Sequence, residues 1–329
     1  MTDQEKLSYI LIRRRTVNSR AELARKLGIS RPTASVICEN LLAQGLIAEC
    51  GKGRSTGGNA PIVLSARSDK FNVIGIDFGY TDKMAAVLLD GAGNIVEKKE
   101  LSFIPGNLKS IFETAGKLVR SLDSASVLPM VAIALSAIVD EESRRVLKSV
   151  NPLFVKEDFV PDLEKFLQRP VFISNRSRTA AIAEAFGGAA AGVDDFGLIS
   201  LGRSVGAGFW SNGELFCGPT SSAGEIRNLR LADGSRLEEA LARENIAGLP
   251  LENVVLKCAD ALNQIIDIMD CRVLVLSGRF ADFGDQFAGL LEPHLAGSIK
   301  VYPARFGRFS AARGSAFQLV ENVVKKSDI

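Results

Sequence analysis

Residues 171–188 read VFISNRSRTAAIAEAFGG. The apolar run Val171-Phe172-Ile173 predicts a buried strand that stops at Ser174-Asn175. An alanine-rich helix follows, closed by Gly187-Gly188. A strand that hands over to a helix through a polar cluster is where α/β proteins place ligand sites. Where catalysis would want an acid or an amide just after Asn175, the chain has Arg176 and Arg178.

The same theme recurs on either side. Residues 71–103, FNVIGIDFGYTDKMAAVLLDGAGNIVEKKELSF, predict strand, turn, strand, a Gly91-Gly93 turn and a third strand. Residues 197–216, GLISLGRSVGAGFWSNGELF, repeat the order, with an Asn212-Gly213 hairpin. Two such units, each followed by helices and further strands (VAIAL, VFIS, VLVLSG), predict a duplicated α/β body with a cleft between its halves.

At 329 residues the chain suits two or three domains. Its 47% apolar and 24% charged residues are ordinary for a soluble globular protein. No apolar stretch reaches the ~18 residues a membrane helix needs, and the N-terminus does not read as a signal peptide. Five scattered cysteines (Cys38, Cys50, Cys217, Cys258, Cys271) form no CxxC pair, which points to reduced thiols and a cytoplasmic protein without membrane attachment. The net charge of +2 is uneven: residues 1–66 hold ten Lys/Arg against five acids, and the remainder carries a net −3. A small basic head on a slightly acidic body fits a nucleic-acid-binding module joined to a sensor or enzyme.

The head supports that reading. LSYILIRRRT (7–16) predicts a first helix; Ser19 caps a second over 20–27, with Glu22 at the reciprocal position. Gly28-Ile29 turns the chain, and Ser30 caps a third helix with Pro32 in its first turn. Ala34, Ile37, Leu41 and Leu42 form its buried stripe, leaving Arg31, Thr33, Ser35 and Val36 on the opposite face. Strands at 46–49 and 61–64 flank the loop CGKGRSTGGNA. The order is that of a winged helix-turn-helix, and double-stranded DNA is the expected partner. Arg31, Thr33 and Ser35, with Pro32 beside them, are the base-edge candidates; Arg20, Lys52 and Arg54 are phosphate candidates; Asn59 in the wing suits A·T acceptors. Val36 is placed to touch a thymine methyl. The run Arg13-Arg14-Arg15 reads as a solvated helix face.

The whole chain resembles the ROK family (repressors, open reading frames and sugar kinases) in its repressor form. The likeness is carried by SRAELARKLGISRPTASVICENLLAQGLI, GIDFGYT, NRSRTAAIAEAFG, LGRSVGAGFWSNGELFCGPTSSAGEI, VLVLSG and the terminal AARGSAF. The resemblance implies an α/β protein: a winged helix-turn-helix over 1–66, then a duplicated actin-like ATPase, sugar-kinase-type (ribonuclease H-like) body over 72–329. Its lobes fall at 72–185 with the C-terminal helix, and at 190–310. Family kinases carry Asn-Asp-Ala-Asn at the strand end, the Asp being the general base; here the positions read Asn175-Arg176-Ser177-Arg178. A guanidinium stays protonated and cannot be that base. Tyr80 replaces a glycine of the first phosphate loop, and Gly202-Arg203-Ser204 replaces Gly-Thr-Gly in the second. Asp77, Gly79, Thr81, Gly206 and Gly208 remain, as turns of the scaffold. Loss of catalysis is expected, and no cofactor. The family's zinc-binding His and cysteines are also missing: the turn reads Gly224-Glu225-Ile226-Arg227-Asn228, no Cys follows, and His294 is remote, at a surface helix end. No metal site is expected.

The resemblance further places Asn175, Glu225 and Glu238 where relatives contact sugar hydroxyls, and Arg176 and Asn228 where relatives have Asp and His. Three readings of that pocket stand open: Arg176 reads an anionic effector such as a sugar phosphate or sugar acid, Arg176 pairs with Glu225 and fills the pocket, or a neutral sugar binds. The functional expectation is a sequence-specific transcription regulator, a repressor, acting on a palindromic operator as a homodimer or tetramer. The alternatives are a ROK sugar kinase that retains phosphoryl transfer, and a body that serves only for oligomerisation or docking.

Overall fold

The computed structural model describes residues 1–53, 60–79, 82–124, 126–201, 205–246, 248–278 and 283–326. The head opens with α1 (Asp3–Arg13), α2 (Arg20–Leu27) and α3 (Arg31–Ala43), followed by the antiparallel strands β1 (Ile47–Lys52) and β2 (Ile62–Ala66). α1 starts earlier than its apolar residues predict because Thr2 and Glu5 form a reciprocal capping box. Ser19 accepts from the Glu22 N–H, whereas the Glu22 carboxylate turns to the Asn18 N–H at 2.8 Å. Ser30 caps α3 by accepting from the Thr33 N–H at 3.1 Å. Tyr9, Ile12, Leu23, Ala34, Ile37, Cys38 and Leu41 make a shared core; Cys38 joins the expected stripe, and Leu42 is only partly buried.

In the body, β3 (Asn72–Asp77), β4 (Lys83–Asp90) and β5 (Ile95–Ser102) lead through α4 (Leu108–Leu122) to β6 (Val127–Leu135). The hairpin β7 (Ala137–Asp140) and β8 (Arg145–Ser149) precedes α5 (Phe159–Leu167), β9 (Val171–Asn175) and α6 (Arg176–Ala185). A second series follows: β10 (Phe196–Ser200), β11 (Gly206–Ser211), β12 (Glu214–Phe216), α7 (Leu237–Ala240), α8 (Arg243–Ile246) and α9 (Leu251–Met269). It ends with β13 (Val273–Ser277), α10 (Gly284–Leu291), β14 (Lys300–Pro303) and α11 (Ser310–Lys326).

The two five-stranded sheets run β5-β4-β3-β6-β9 and β12-β11-β10-β13-β14. Each is an antiparallel meander of three strands extended by two parallel ones, so the spatial order of the second repeats that of the first. The parallel pairs need helical crossovers, which α4, α5, α9 and α10 supply. Buried strands such as β9, β10 and β3 are near-continuously apolar, as sheets covered on both faces require.

Helices α6 and α11 pack face to face between the sheets. Gly314 permits this: a Cβ there would overlap the Thr179 carbonyl of α6. The crossing is pinned by Glu184, fully buried, which accepts from the N–H groups of Ala189, Arg305 and Phe306 and from the Ser310 hydroxyl. A buried carboxylate persists only when its lone pairs are used in this way.

The seam between head and body departs from expectation. Arg13 is 1% exposed. Its Nε donates to the Gly91 carbonyl at 2.9 Å and its Nη1 to that of Phe317 at 3.3 Å, while the guanidinium lies 3.9 Å from the Phe317 ring centroid. Arg14 donates Nε and Nη2 to the two oxygens of Glu321 at 2.7 and 2.8 Å, and Nη1 to Glu214 at 2.7 Å. Only Arg15 is exposed, with Nη2 on Asn94 Oδ1. Arg13 and Arg14 therefore form an internal strut between head and body rather than a solvated face, and Arg15 alone keeps the expected exposure. The Gly91 and Phe317 carbonyls and the Phe317 ring take up part of what water would give Arg13, whose Nη2 is buried without a hydrogen-bond partner, and the Glu321 and Glu214 carboxylates take up Arg14. Burial lowers the Arg13 guanidinium from its ordinary value, with Tyr9 and Glu321 opposing. Burial also works against Arg14, but Glu321 and Glu214 outweigh it and hold that group above its ordinary value.

Candidate functional site

Asp77, Asn175 and Ser200 are the last residues of β3, β9 and β10, so the C-terminal ends of both sheets meet at one cleft. Arg176, the first residue of α6, crosses it. Its Nε donates to Asp77 Oδ1 and Oδ2 at 3.1 and 2.9 Å, and its Nη1 to Ser200 Oγ at 3.3 Å. The side chain lies over Gly79 so closely that a Cβ on that residue would overlap Arg176 Cδ. Asp77 also accepts from the Gly79 N–H at 2.7 Å. Burial pushes the Asp77 carboxyl above its ordinary value, opposed by Arg176 and by the Gly79 N–H. The result is a buried ion pair across the mouth of the first loop, tied to the other lobe through the Arg176–Ser200 hydrogen bond.

Asn175 is committed to the scaffold. Its Oδ1 accepts from the Arg178 N–H at 3.1 Å, capping α6, and its Nδ2 donates to the Ala137 carbonyl at 2.8 Å. Glu225 pairs with Arg227 rather than with Arg176. Of the three readings of the pocket, this removes the one in which Arg176 pairs with Glu225. Asp77 ends a strand two places from β9 in the same sheet, about 10 Å away, and an arginine spans that gap. Burial raises the Glu238 carboxyl, with Arg227 opposing. Asn175, Arg176, Glu225 and Glu238 do line one cavity, of about 30 Å³. That volume holds a water or two but no monosaccharide. Asn228 ends a 3-10 turn over Ile226–Asn228, is exposed, and does not line this cavity. Tyr80, Thr81 and Gly202-Arg203-Ser204 lie outside the described residues.

At the other end of the molecule, Arg31, Pro32, Thr33 and Val36 are exposed on the first turns of α3, with Ser35 partly so. The Thr33 and Ser30 hydroxyls hydrogen-bond at 2.7 Å, which leaves the Thr33 hydroxyl partly engaged. Arg20 pairs with Glu49 of β1 at 2.9 Å, so its charge is neutralised within the head. Lys52 is exposed at the end of β1. Arg54 and Asn59 fall outside the described residues. His294 is exposed at the end of the turn Glu292–His294. Among the described residues no three His, Cys, Asp or Glu side chains converge as a metal centre, and no helix is long and apolar enough to cross a membrane.

Comparison with known proteins places this geometry. Residues 73–234 match the ROK family. A xylose repressor of Caldicellulosiruptor bescii is 26% identical over 214 residues, covering 63% of this chain and 53% of the repressor. The DNA-binding transcriptional dual regulator NagC of Escherichia coli is 26% identical over 219 residues, 65% of this chain and 53% of NagC. The chain thus spans about half the length of the curated relatives it matches. Among solved structures, a ROK family transcriptional regulator, a homolog of the E. coli MLC protein, aligns with a TM-score of 0.72 at 17% identity, over 98% of this chain and 96% of that one. A ROK family glucokinase from Streptomyces griseus, in complex with glucose and AMPPNP, aligns with a TM-score of 0.64 at 20% identity, over 74% of this chain and 98% of the kinase. The body therefore has the mixed α/β fold of ROK sugar kinases.

Proposed function

From the membership of residues 73–234 in the ROK family, we propose that the chain is a sequence-specific DNA-binding transcription regulator, a repressor, whose body has given up phosphoryl transfer. The observation that carries the reading is the exposed N-terminal face of α3. Arg31, Thr33 and Ser35 stand on a helix whose opposite face is locked into the head by Ala34, Ile37, Cys38 and Leu41, with the β1–β2 ribbon beside it. In a winged helix-turn-helix those positions enter the major groove, and the exposed Lys52 faces phosphate. The repressor names of the relatives support the same conclusion.

Arg176 supports the loss of kinase chemistry. It stands beside Asn175, where a general base would have to act, and it has a charge that no usable pH removes. Its side chain also covers the Asp77–Gly79 turn that a nucleotide phosphate would approach. A sugar or anionic sugar derivative as effector fits the carboxylates Glu225 and Glu238. Entry requires the lobes to part, because the cavity between them is about 30 Å³. Opening breaks the Arg176–Ser200 bond, so a ligand that prefers the open form shifts the arrangement of the heads in a dimer or tetramer.

Fluorescence anisotropy on the duplex upstream of the protein's own gene, beside a scrambled duplex at two salt concentrations, tests the reading. A preference of ~10³-fold or more, weakening steeply with salt, is expected. Equal weak binding to both duplexes contradicts it. ADP release above background with glucose, xylose or N-acetylglucosamine would restore the kinase alternative.

A further inference from the structure

Beside its polar candidates, the outward face of α3 carries apolar side chains. Val36 is 55% exposed, on a helix whose other side, Ala34, Ile37, Cys38 and Leu41, is sealed in the head core. Pro32 precedes it by four residues and is also exposed, so the two side chains are neighbours on one face. At ~100° per residue they fall at the middle of that face, with Arg31 and Ser35 on one flank and Thr33 on the other. An exposed valine amid polar residues on a helix that already has a complete buried stripe contributes nothing to the head's own packing.

The surroundings of this patch point to its occupant. Arg31 begins the same helix, and Arg25 and Lys26 end α2 just across the Gly28–Ser30 turn; all three are exposed. Two small apolar side chains framed by cations complement a polyanion that carries methyl groups between its phosphates. The major groove offers that surface at thymine, whose 5-methyl stands beside its O4 acceptor. Proline and valine are stiff, so little rotamer freedom is lost on contact. Asn40 Nδ2 donates to Glu5 Oε1 of α1 at 2.7 Å, which ties the helix that carries the patch to its neighbour. Glu39, three residues beyond Val36, is exposed and brings negative charge, so the patch stops there and contact falls to the first two turns.

We infer that Val36, with Pro32 behind it, reads a thymine methyl at a fixed position of each operator half-site, beside the position read by Arg31. The inference rests on the DNA-binding reading and deepens it: an apolar contact, not a hydrogen bond, separates thymine from cytosine at that position.

Selection of duplexes by the full chain, from a pool randomised over ~25 base pairs, supplies the operator; that length holds two half-sites a helical turn apart. Deoxyuridine is then placed at each thymine in turn, which removes the methyl and keeps every hydrogen-bonding group. At one thymine of each half-site the unsubstituted chain should lose about four-fold in affinity, the worth of one buried methyl-sized group. Val36→Ala should bind the operator more weakly and lose less than ~2-fold further at that same thymine, whereas Val36→Ile, which keeps the contact, should retain the full deoxyuridine penalty. A selected operator on which deoxyuridine costs the unsubstituted and Val36→Ala chains equally at every thymine overturns the inference and leaves the DNA-binding reading intact. A pool that yields no preferred duplex sinks both.

Discussion

Arg13 and Arg31 belong to the same basic head, and their environments are opposite. Arg13 is sealed between two body carbonyls and the Phe317 ring, whereas Arg31 stands exposed on the first turn of α3. A count of basic residues weighs them equally. The difference lies in what each helix faces: α1 lies against α11 of the body, while the N-terminal turn of α3 points away from its own core. Charge in the head thus has two uses, one holding it to the body and one presented outward.

Substitutions that separate the two uses sharpen the comparison. The largest effect is expected from Arg13→Ala, which leaves a cavity and orphans the Gly91 and Phe317 carbonyls. A loss of ~3 kcal/mol or more should appear in urea unfolding. Arg13→Met should recover part of it, because packing returns and the donors do not. Arg31→Ala should leave unfolding within ~0.5 kcal/mol but cost ~1–3 kcal/mol of operator binding and relax the preference for the specific duplex. If Arg31→Ala unfolds the head while Arg13→Ala only weakens DNA binding, the assignment of the two arginines is reversed. Lys52→Ala should lower affinity for all duplexes alike and reduce the salt slope by ~0.9, read from anisotropy at several salt concentrations. Arg15→Ala, which removes one exposed bond to Asn94, should change stability by less than ~0.5 kcal/mol.

Arg176 and Arg178 make the same point at the cleft. Their positions beside Asn175 are plain in VFISNRSRTAAIAEAF, and so is the conclusion that neither is a general base. Their partners are not. Arg176 meets Asp77, 99 residues away, because β6 separates β3 from β9 and brings both strand ends to one edge. Arg178, two residues on, is buried beside Glu141 and Cys217 instead. Glu225, which one of the three readings paired with Arg176, folds back on Arg227 two residues along, since the 3-10 turn after it brings the two side chains together.

Local chemistry was legible wherever it acts within a few residues. Ser19 and Ser30 as caps, Pro32 in a first turn, the Asn212-Gly213 hairpin and the strand ending at Asn175 all follow from short-range rules, and each lies where those rules put it. The duplicated strand pattern likewise follows from apolar runs separated by turn residues. The start of α1 was missed because Thr2 and Glu5 precede its apolar stripe, although S/T-x-x-E spacing was there to be read.

The sequence by itself thus determined the elements, their order and the absence of a base beside Asn175, because caps, turns and hydrophobic period act over a span of a few residues. Tertiary structure alone decided that Arg13 and Arg14 are struts between head and body, that Arg176 closes the cleft on Asp77 and that Arg178 is buried beside Glu141 and Cys217. An arginine's environment is set by whatever carbonyl, ring or carboxylate lies opposite it in space. Those partners are supplied by residues 77, 91, 317 and 321, which only the packing of α1, α6 and α11 against the two sheets brings within reach.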